Sequence, residues 1–172
     1  YPLPMGILVS TVVGMVLTLP ISSAAICISL GIDGLAAGAA VVGCSCQMIG
    51  FAVSSYKENK LGGLISQGLG TSMLQIPNIW NNPLIWLPPT LTAAILGPVS
   101  TMVFKMENNS AGAGMGTSGL VGQFNAVAVM GFDALPQIVL MHFILPAVIT
   151  LLISTWIRKK GWIKDGDMLL QK

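Results

Sequence analysis

GLAAGAAVVGCSCQMIGFAVSSY, residues 34–56, lies between Asp33 and the cluster Lys57-Glu58-Asn59-Lys60 and holds no charged side chain. About 20 apolar residues in a helix cross a hydrocarbon core of about 30 Å, and this stretch has that length. Gly34-x-x-x-Gly38 and Ala39-x-x-x-Gly43 are small-xxx-small patterns, which let helix backbones approach closely where lipid supplies no hydrophobic drive. A membrane-spanning helix packed through small residues is expected here. The same pattern extends outward. No Asp, Glu, Lys or Arg occurs in 1–32, 61–104 or 108–132. Over the 172 residues 8% are charged and 53% hydrophobic, whereas a soluble domain is about a quarter charged. The chain is expected to be an all-α integral membrane protein, with 1–172 forming a single membrane domain.

Residues 3–32 are apolar but too long for one straight span. Pro20, followed by Ser22 and Ser23, interrupts them, and proline leaves a carbonyl that needs another partner inside the membrane. A kinked helix, or a span followed by a short half-helix, is expected, with its break the first candidate for function. Lys57-Glu58-Asn59-Lys60 ends the span over about 35–56, and Arg158-Lys159-Lys160 with Lys164 ends a last span over 135–157. The positive-inside rule puts both clusters in the cytoplasm, so an even number of crossings separates them. Spans over 84–104 and 135–157 supply two.

Residues 61–77 are then expected to be re-entrant. Gly62, Gly63, Gly68 and Gly70 make poor continuous helix, and Gln67 and Gln75 would be costly facing lipid. Lys105-Met106-Glu107 falls outside. NNSAGAGMGTSGLVGQ (108–123) is low in complexity, and the chain stays uncharged through Met130. A second re-entrant piece between residues 116 and 130 fits, because irregular backbone at membrane depth needs protein or a cavity around it. The expected architecture is about four transmembrane helices plus one or two re-entrant segments, and interrupted segments of this kind point to a transport site. PISSAAI (20–26) echoes PTLTAAI (89–95), as a repeat of broken helices or as coincidence in a biased composition.

Polar side chains inside a membrane need a partner or a purpose. Asn81 and Asn82 sit between Trp80 and Pro83, ahead of Trp86, Pro88 and Pro89. Carboxamides pair donors with acceptors, and a tryptophan face stacks on the apolar face of a sugar ring. That suits a neutral polyhydroxyl ligand; an interfacial loop with an aromatic belt explains the same residues equally well. His142, the one histidine, could bond a substrate hydroxyl, relay a proton or bridge two helices. The candidate substrate-binding set is Asn81, Asn82, Trp86, Gln75, Gln123, Asn125 and His142. Asp33 and Asp133 each precede an apolar span and are expected as interfacial helix N-caps.

No paired carboxylates and no Ser/His/Asp arrangement can be assigned, so no catalytic site is expected in this chain. The glycine-rich run lacks a Gly-Lys-Ser/Thr ending and a preceding strand, which rules out a phosphate loop. Cys27, Cys44 and Cys46 lie in apolar segments as small packing residues. Cys44-x-Cys46 has the wrong spacing for zinc and no histidine nearby, so neither a metal nor another cofactor is expected. A net charge of +2, without a basic stripe interleaved with aromatics, leaves no nucleic-acid partner. Starting at Tyr1 with no basic n-region and cleavage site, the chain is expected to lack a signal peptide and to be part of a longer protein.

LPISSAA (19–25), PNIWNNP (77–83) with WLPP (86–89), and the glycine-rich run 112–122 resemble the membrane domain of the perfringolysin O regulator family. That bacterial group is related to the EIIC sugar permeases of the phosphotransferase system. The likeness extends over most of the chain and corresponds to about half of such a permease domain, as its C-terminal half. It implies a homodimeric, many-helix EIIC-like fold with re-entrant hairpins around a sugar pocket, set in the lipid of a bacterial inner membrane. Any phosphorylation would fall to separate cytoplasmic EIIA and EIIB proteins. Permeases of the glucose superfamily use a Glu-Pro glutamate and a histidine near the sugar. Here Glu107 is followed by Asn108, and His142 matches by residue type alone. The resemblance implies a permease, or a permease-derived protein, that binds a small sugar-like solute. A non-transporting membrane sensor or regulatory protein and a structural membrane subunit are the alternatives.

Overall fold

The computed structural model describes residues 2–19, 21–164 and 166–170, and among these it is helical, with one isolated β-bridge between Gly34 and Asn108. Its α-helices are α1 (Pro2–Thr18), α2 (Ser23–Ser29), α3 (Gly34–Ser54), α4 (Tyr56–Ile65), α5 (Ile76–Asn81), α6 (Leu87–Pro98), α7 (Ser110–Ala113), α8 (Val121–Met130), α9 (Leu135–Val139) and α10 (Leu145–Lys159). Three helical stretches are long and apolar enough to cross a membrane: α3, Pro83–Phe104 and Phe132–Lys159. Leu3–Thr18 and Ser118–Met130 are shorter apolar helices. Of the four expected spans, three have a helix of spanning length, whereas the helix over the first apolar stretch stops at Thr18, ahead of the interruption, and is shorter than those three. Pro20 itself lies outside the described residues.

α3 is the axis of the fold. Its 21 residues rise about 30 Å, and 83% of its apolar window is buried, against 44% and 33% for the other two candidate spans. Small side chains make this possible. A Cβ on Gly43 would land on the Ser10 carbonyl of α1, and one on Gly97 would meet the Ser10 side chain and the Gly6 carbonyl. Ser10 Oγ donates to the Ala93 carbonyl at 2.8 Å, so α1 is wedged between α3 and α6. α6 and α10 continue this packing around α3, with Gly50 against Pro89 and Thr150 and Thr150 Oγ1 donating to Thr92 Oγ1 at 2.8 Å.

The two long outer helices each contain a widened turn. A π-helical segment, Val99–Phe104, follows Pro98, and another, Leu140–Ile144, precedes Pro146. Proline donates no hydrogen bond and crowds the carbonyl four residues back; for Pro146 that carbonyl is His142, inside the widened turn, which relieves the crowding without ending the helix.

Two hairpins complete the structure, entering from opposite ends of α3. The first, residues 56–81, starts beside the α3 C-terminus and returns to it. Asn59 Nδ2 donates to the Met168 carbonyl and Asn78 Nδ2 to the Leu169 carbonyl, both at 2.9 Å, so the entry and exit of the hairpin are held by adjacent residues of the C-terminal tail. The second, residues 108–130, starts beside the α3 N-terminus. Gly34 and Asn108 exchange backbone hydrogen bonds of 3.0 and 3.2 Å, and the Glu107 amide contacts Met130 Sδ at 3.3 Å. The first segment also folds back on itself. α2 returns from the break toward Asp33, burying Cys27 among Ala37, Ala40 and Cys44.

The basic clusters expected on one side of the membrane do come together. Arg158 Nη2 lies 2.7 Å from Glu58 Oε1 and donates to the Ser54 carbonyl at 3.1 Å, at the α3 C-terminus. Lys105 and Glu107 lie at the opposite end. Asp33 is an N-cap residue by position, but its carboxylate bonds no amide of its own helix; it accepts from the Ser110 amide at 3.0 Å and so ties the second hairpin in place. Asp133 is not a cap, because the helix has already begun at Phe132 with a 3-10 turn that contains it. Lys60 and Glu107 are both exposed, so Lys60→Cys and Glu107→Cys should react with an impermeant maleimide from opposite faces of sealed vesicles. Labelling of both from one face would overturn the two-ended arrangement.

A cleft where three backbone interruptions meet

The tips of both hairpins and the break after α1 converge near the middle of α3. At the first tip, a π-turn (Ser66–Gly70) gives way to extended backbone at Thr71 and a 3-10 turn (Ser72–Gln75). At the second, Gly116 and Gly119 take positive φ, a conformation that costs glycine little; a Cβ on Gly116 would also collide with Cys44 of α3. The tips touch directly, because Thr117 Oγ1 donates to the Gly68 carbonyl. Ser23, at the start of α2, donates to the Gly114 carbonyl.

Between these elements lies a cleft of about 550 Å³, whose polar lining is Ser22, Ser23, Thr71 and Ser118 and whose apolar wall includes Leu17 and Met115. That volume falls in the range of small-molecule sites, about 300–1,000 Å³. Ser22 Oγ accepts from the Ala25 amide at 3.2 Å and Thr71 Oγ1 from the Met73 amide at 3.1 Å. Each hydroxyl caps a helix start while still able to donate its own proton to a ligand. No carboxylate, lysine, arginine or histidine is among the lining residues, so the cleft suits a neutral hydroxylated molecule rather than an ion.

Behind the cleft runs a buried polar network centred on Gln47 of α3. Thr18 Oγ1 shares a 2.8 Å hydrogen bond with Ser72 Oγ and donates to Gln47 Oε1 at 3.2 Å. Trp86 Nε1 donates to the same oxygen at 2.8 Å, and Gln47 Nε2 donates to Thr90 Oγ1 at 3.1 Å. One carboxamide thus joins the end of α1, the first hairpin and α6. A buried polar network of this kind costs stability if any member is left unpaired, which gives it a single preferred geometry.

None of the seven residues singled out from the sequence lines this cleft. Trp86 comes nearest, through Gln47. Gln75 is buried at the base of the first hairpin, where its Nε2 donates to Gln67 Oε1 and to the Met168 carbonyl and its Oε1 accepts from Asn78. Asn82 caps the turn Pro83–Trp86 and donates to Asp167 Oδ2 at 2.8 Å. Asn81 is exposed. Asn125 accepts from Asn109 at 2.9 Å in the second hairpin. Gln123 and His142 are brought together, with Gln123 Nε2 2.7 Å from His142 Nδ1, in a fully buried contact between α8 and the π-turn. The set is spread over separate sites.

Thr71, Ser118 and Gln47 were not picked out by sequence reasoning, and Ser22 and Ser23 were noted only as neighbours of the break. The signals were present: hydroxyls beside each helix interruption, and a carboxamide in the centre of the most buried span. Of the echo between 20–26 and 89–95, the described residues 21–26 lead into α2 whereas 89–95 lie within α6.

Residues 1–170 match the protein-family model described as Phosphotransferase system, EIIC. No curated protein matches, and no solved structure does. The match agrees with the phosphotransferase side of the resemblance and does not name the narrower regulator family.

Proposed function

Because this chain belongs to the phosphotransferase-system EIIC family, a family of membrane permeases, we propose that it binds a small neutral sugar-like solute in the cleft between the two hairpin tips and the break after α1. The observation that carries this reading is the convergence of three backbone interruptions on one hydroxyl-lined cavity. Irregular backbone at membrane depth is tolerated where it is enclosed by protein or lines a cavity, and discontinuous helices meeting near the bilayer midplane are the recurrent construction of transporter sites. The hydroxyls and freed backbone groups at the tips replace water around the solute. Movement of one hairpin tip relative to the other then exposes the cleft to alternate sides.

Coupling follows from the family rather than from the cleft. Any phosphorylation of the solute falls to separate EIIA and EIIB proteins, as the family implies. Glu58 is bound to Arg158 and Glu107 lies at the far end of α3, so neither serves as a carboxylate beside the solute. We further propose a homodimer in the bacterial inner membrane, with the basic end of α3 in the cytoplasm. Thermal stability of the purified protein in detergent, screened against a panel of mono- and disaccharides, tests the reading. A specific sugar should raise the melting temperature in a concentration-dependent way. Stabilisation by no sugar would favour the structural-subunit alternative, and stabilisation without accumulation in vesicles would favour the sensor.

A further inference from the structure

We infer that the basic end of the molecule carries a site for the phosphate headgroup of an anionic membrane lipid, independent of the solute cleft. A pocket of about 530 Å³ opens between the C-terminal ends of α3 and α10, lined among others by Tyr56, Lys57, Leu151, Ser154, Arg158 and Lys159. Arg158 is held by Glu58 and the Ser54 carbonyl, so its charge is largely balanced. Lys57 and Lys159 supply a surplus of positive charge, and among the described residues neither pairs with a carboxylate. Ser154 is 1% exposed, and its Oγ has no hydrogen-bond partner among the described residues. A buried hydroxyl in that state is costly, and an anionic oxygen in the pocket would give it an acceptor.

Two further features select a lipid over a soluble anion. The pocket wall continues through Leu151 onto an exposed apolar face of α10, where Val148 is 49% and Leu152 66% exposed, a surface suited to acyl chains. Beside it, Lys160 Nζ sits 4.1 Å from the Trp156 ring centroid and 5.5 Å from that of Trp162. Tryptophans with basic neighbours mark the headgroup level of a bilayer, and basic pockets between helices at the cytoplasmic side are suited to anionic headgroups.

Native mass spectrometry of the full chain in mild detergent tests this, with phosphatidylglycerol and phosphatidylcholine in competition and glycerol phosphate as the soluble arm. Phosphatidylglycerol should be retained preferentially, and Lys57→Gln and Lys159→Gln should each lower that preference about fivefold. Lys105→Gln, at the opposite end, should leave it unchanged. Equal retention of the two lipids by the unaltered protein, or an equal loss in the Lys105 variant, would overturn the site. Displacement of the lipid by glycerol phosphate at matching concentration would overturn the lipid assignment in favour of a free phosphate ester.

Discussion

Gly43→Ala should lower the melting temperature of the purified protein by about 3–10 °C, the shift produced by an overpacking cost of about 1–3 kcal/mol in a chain of this size. The Cβ would fall on the Ser10 carbonyl, which is backbone and cannot rotate away, so α1 must move off α3. Ser10 would then also lose its hydrogen bond to Ala93, and the Thr18–Gln47–Ser72 network at the far end of α1 would be strained. Gly62→Ala is the matched control. Gly62 lies in α4 with nothing near its missing Cβ, and alanine is the better helix former, so stability should hold or rise slightly. Equal losses at the two positions would mean that α1 does not pack on α3 through Gly43.

The second large effect is expected at the cleft. Once a stabilising sugar is found, Ser118→Ala and Thr71→Val should each weaken its binding about tenfold or more, since a ligand hydroxyl left without its buried partner costs about 1–3 kcal/mol. Thr71→Val also removes the cap on the Met73 amide; a modest loss of unliganded stability is expected with it. Ser118→Ala has no such side effect to confuse the result, as its side chain is only partly buried and hydrogen-bonds to none of the described residues. Asn81→Ala, an exposed position away from the cleft, should leave binding as it was. Titration of sugar-dependent melting shifts separates the sites. If Asn81→Ala abolished the shift while Ser118→Ala and Thr71→Val did not, the solute would have to sit near Asn81 and the cleft proposal would fail.

Much of the membrane architecture was legible without coordinates. Charge-free runs locate the long spans, because the cost of a charged side chain in hydrocarbon acts on each stretch of chain independently of the rest of the fold. That the chain between residues 61 and 77 does not run as one long helix was legible for a similar reason. Glycines at 62, 63, 68 and 70 weaken any continuous helix, and two basic clusters had to lie at one end. The structure adds the bonds from Asn59 and Asn78 to adjacent tail carbonyls that close the first hairpin.

Which polar residues share a site was decided only by tertiary structure. Asn82 and Gln75 look like ligand groups in sequence, yet their hydrogen-bonding capacity is taken up by Asp167 and by the Met168 carbonyl, partners about ninety residues away. Ser22, Thr71 and Ser118 look like ordinary turn residues and meet at one cleft because three segments bend at the same depth beside α3. Local composition determined that the chain is a helical membrane protein, which stretches are apolar enough to span and where helices break, since each of those follows from the solvation of a short stretch. The cleft depends on long-range close packing, on Gly43 beneath Ser10 and Gly116 against Cys44, and no single stretch of sequence contains both halves of those contacts.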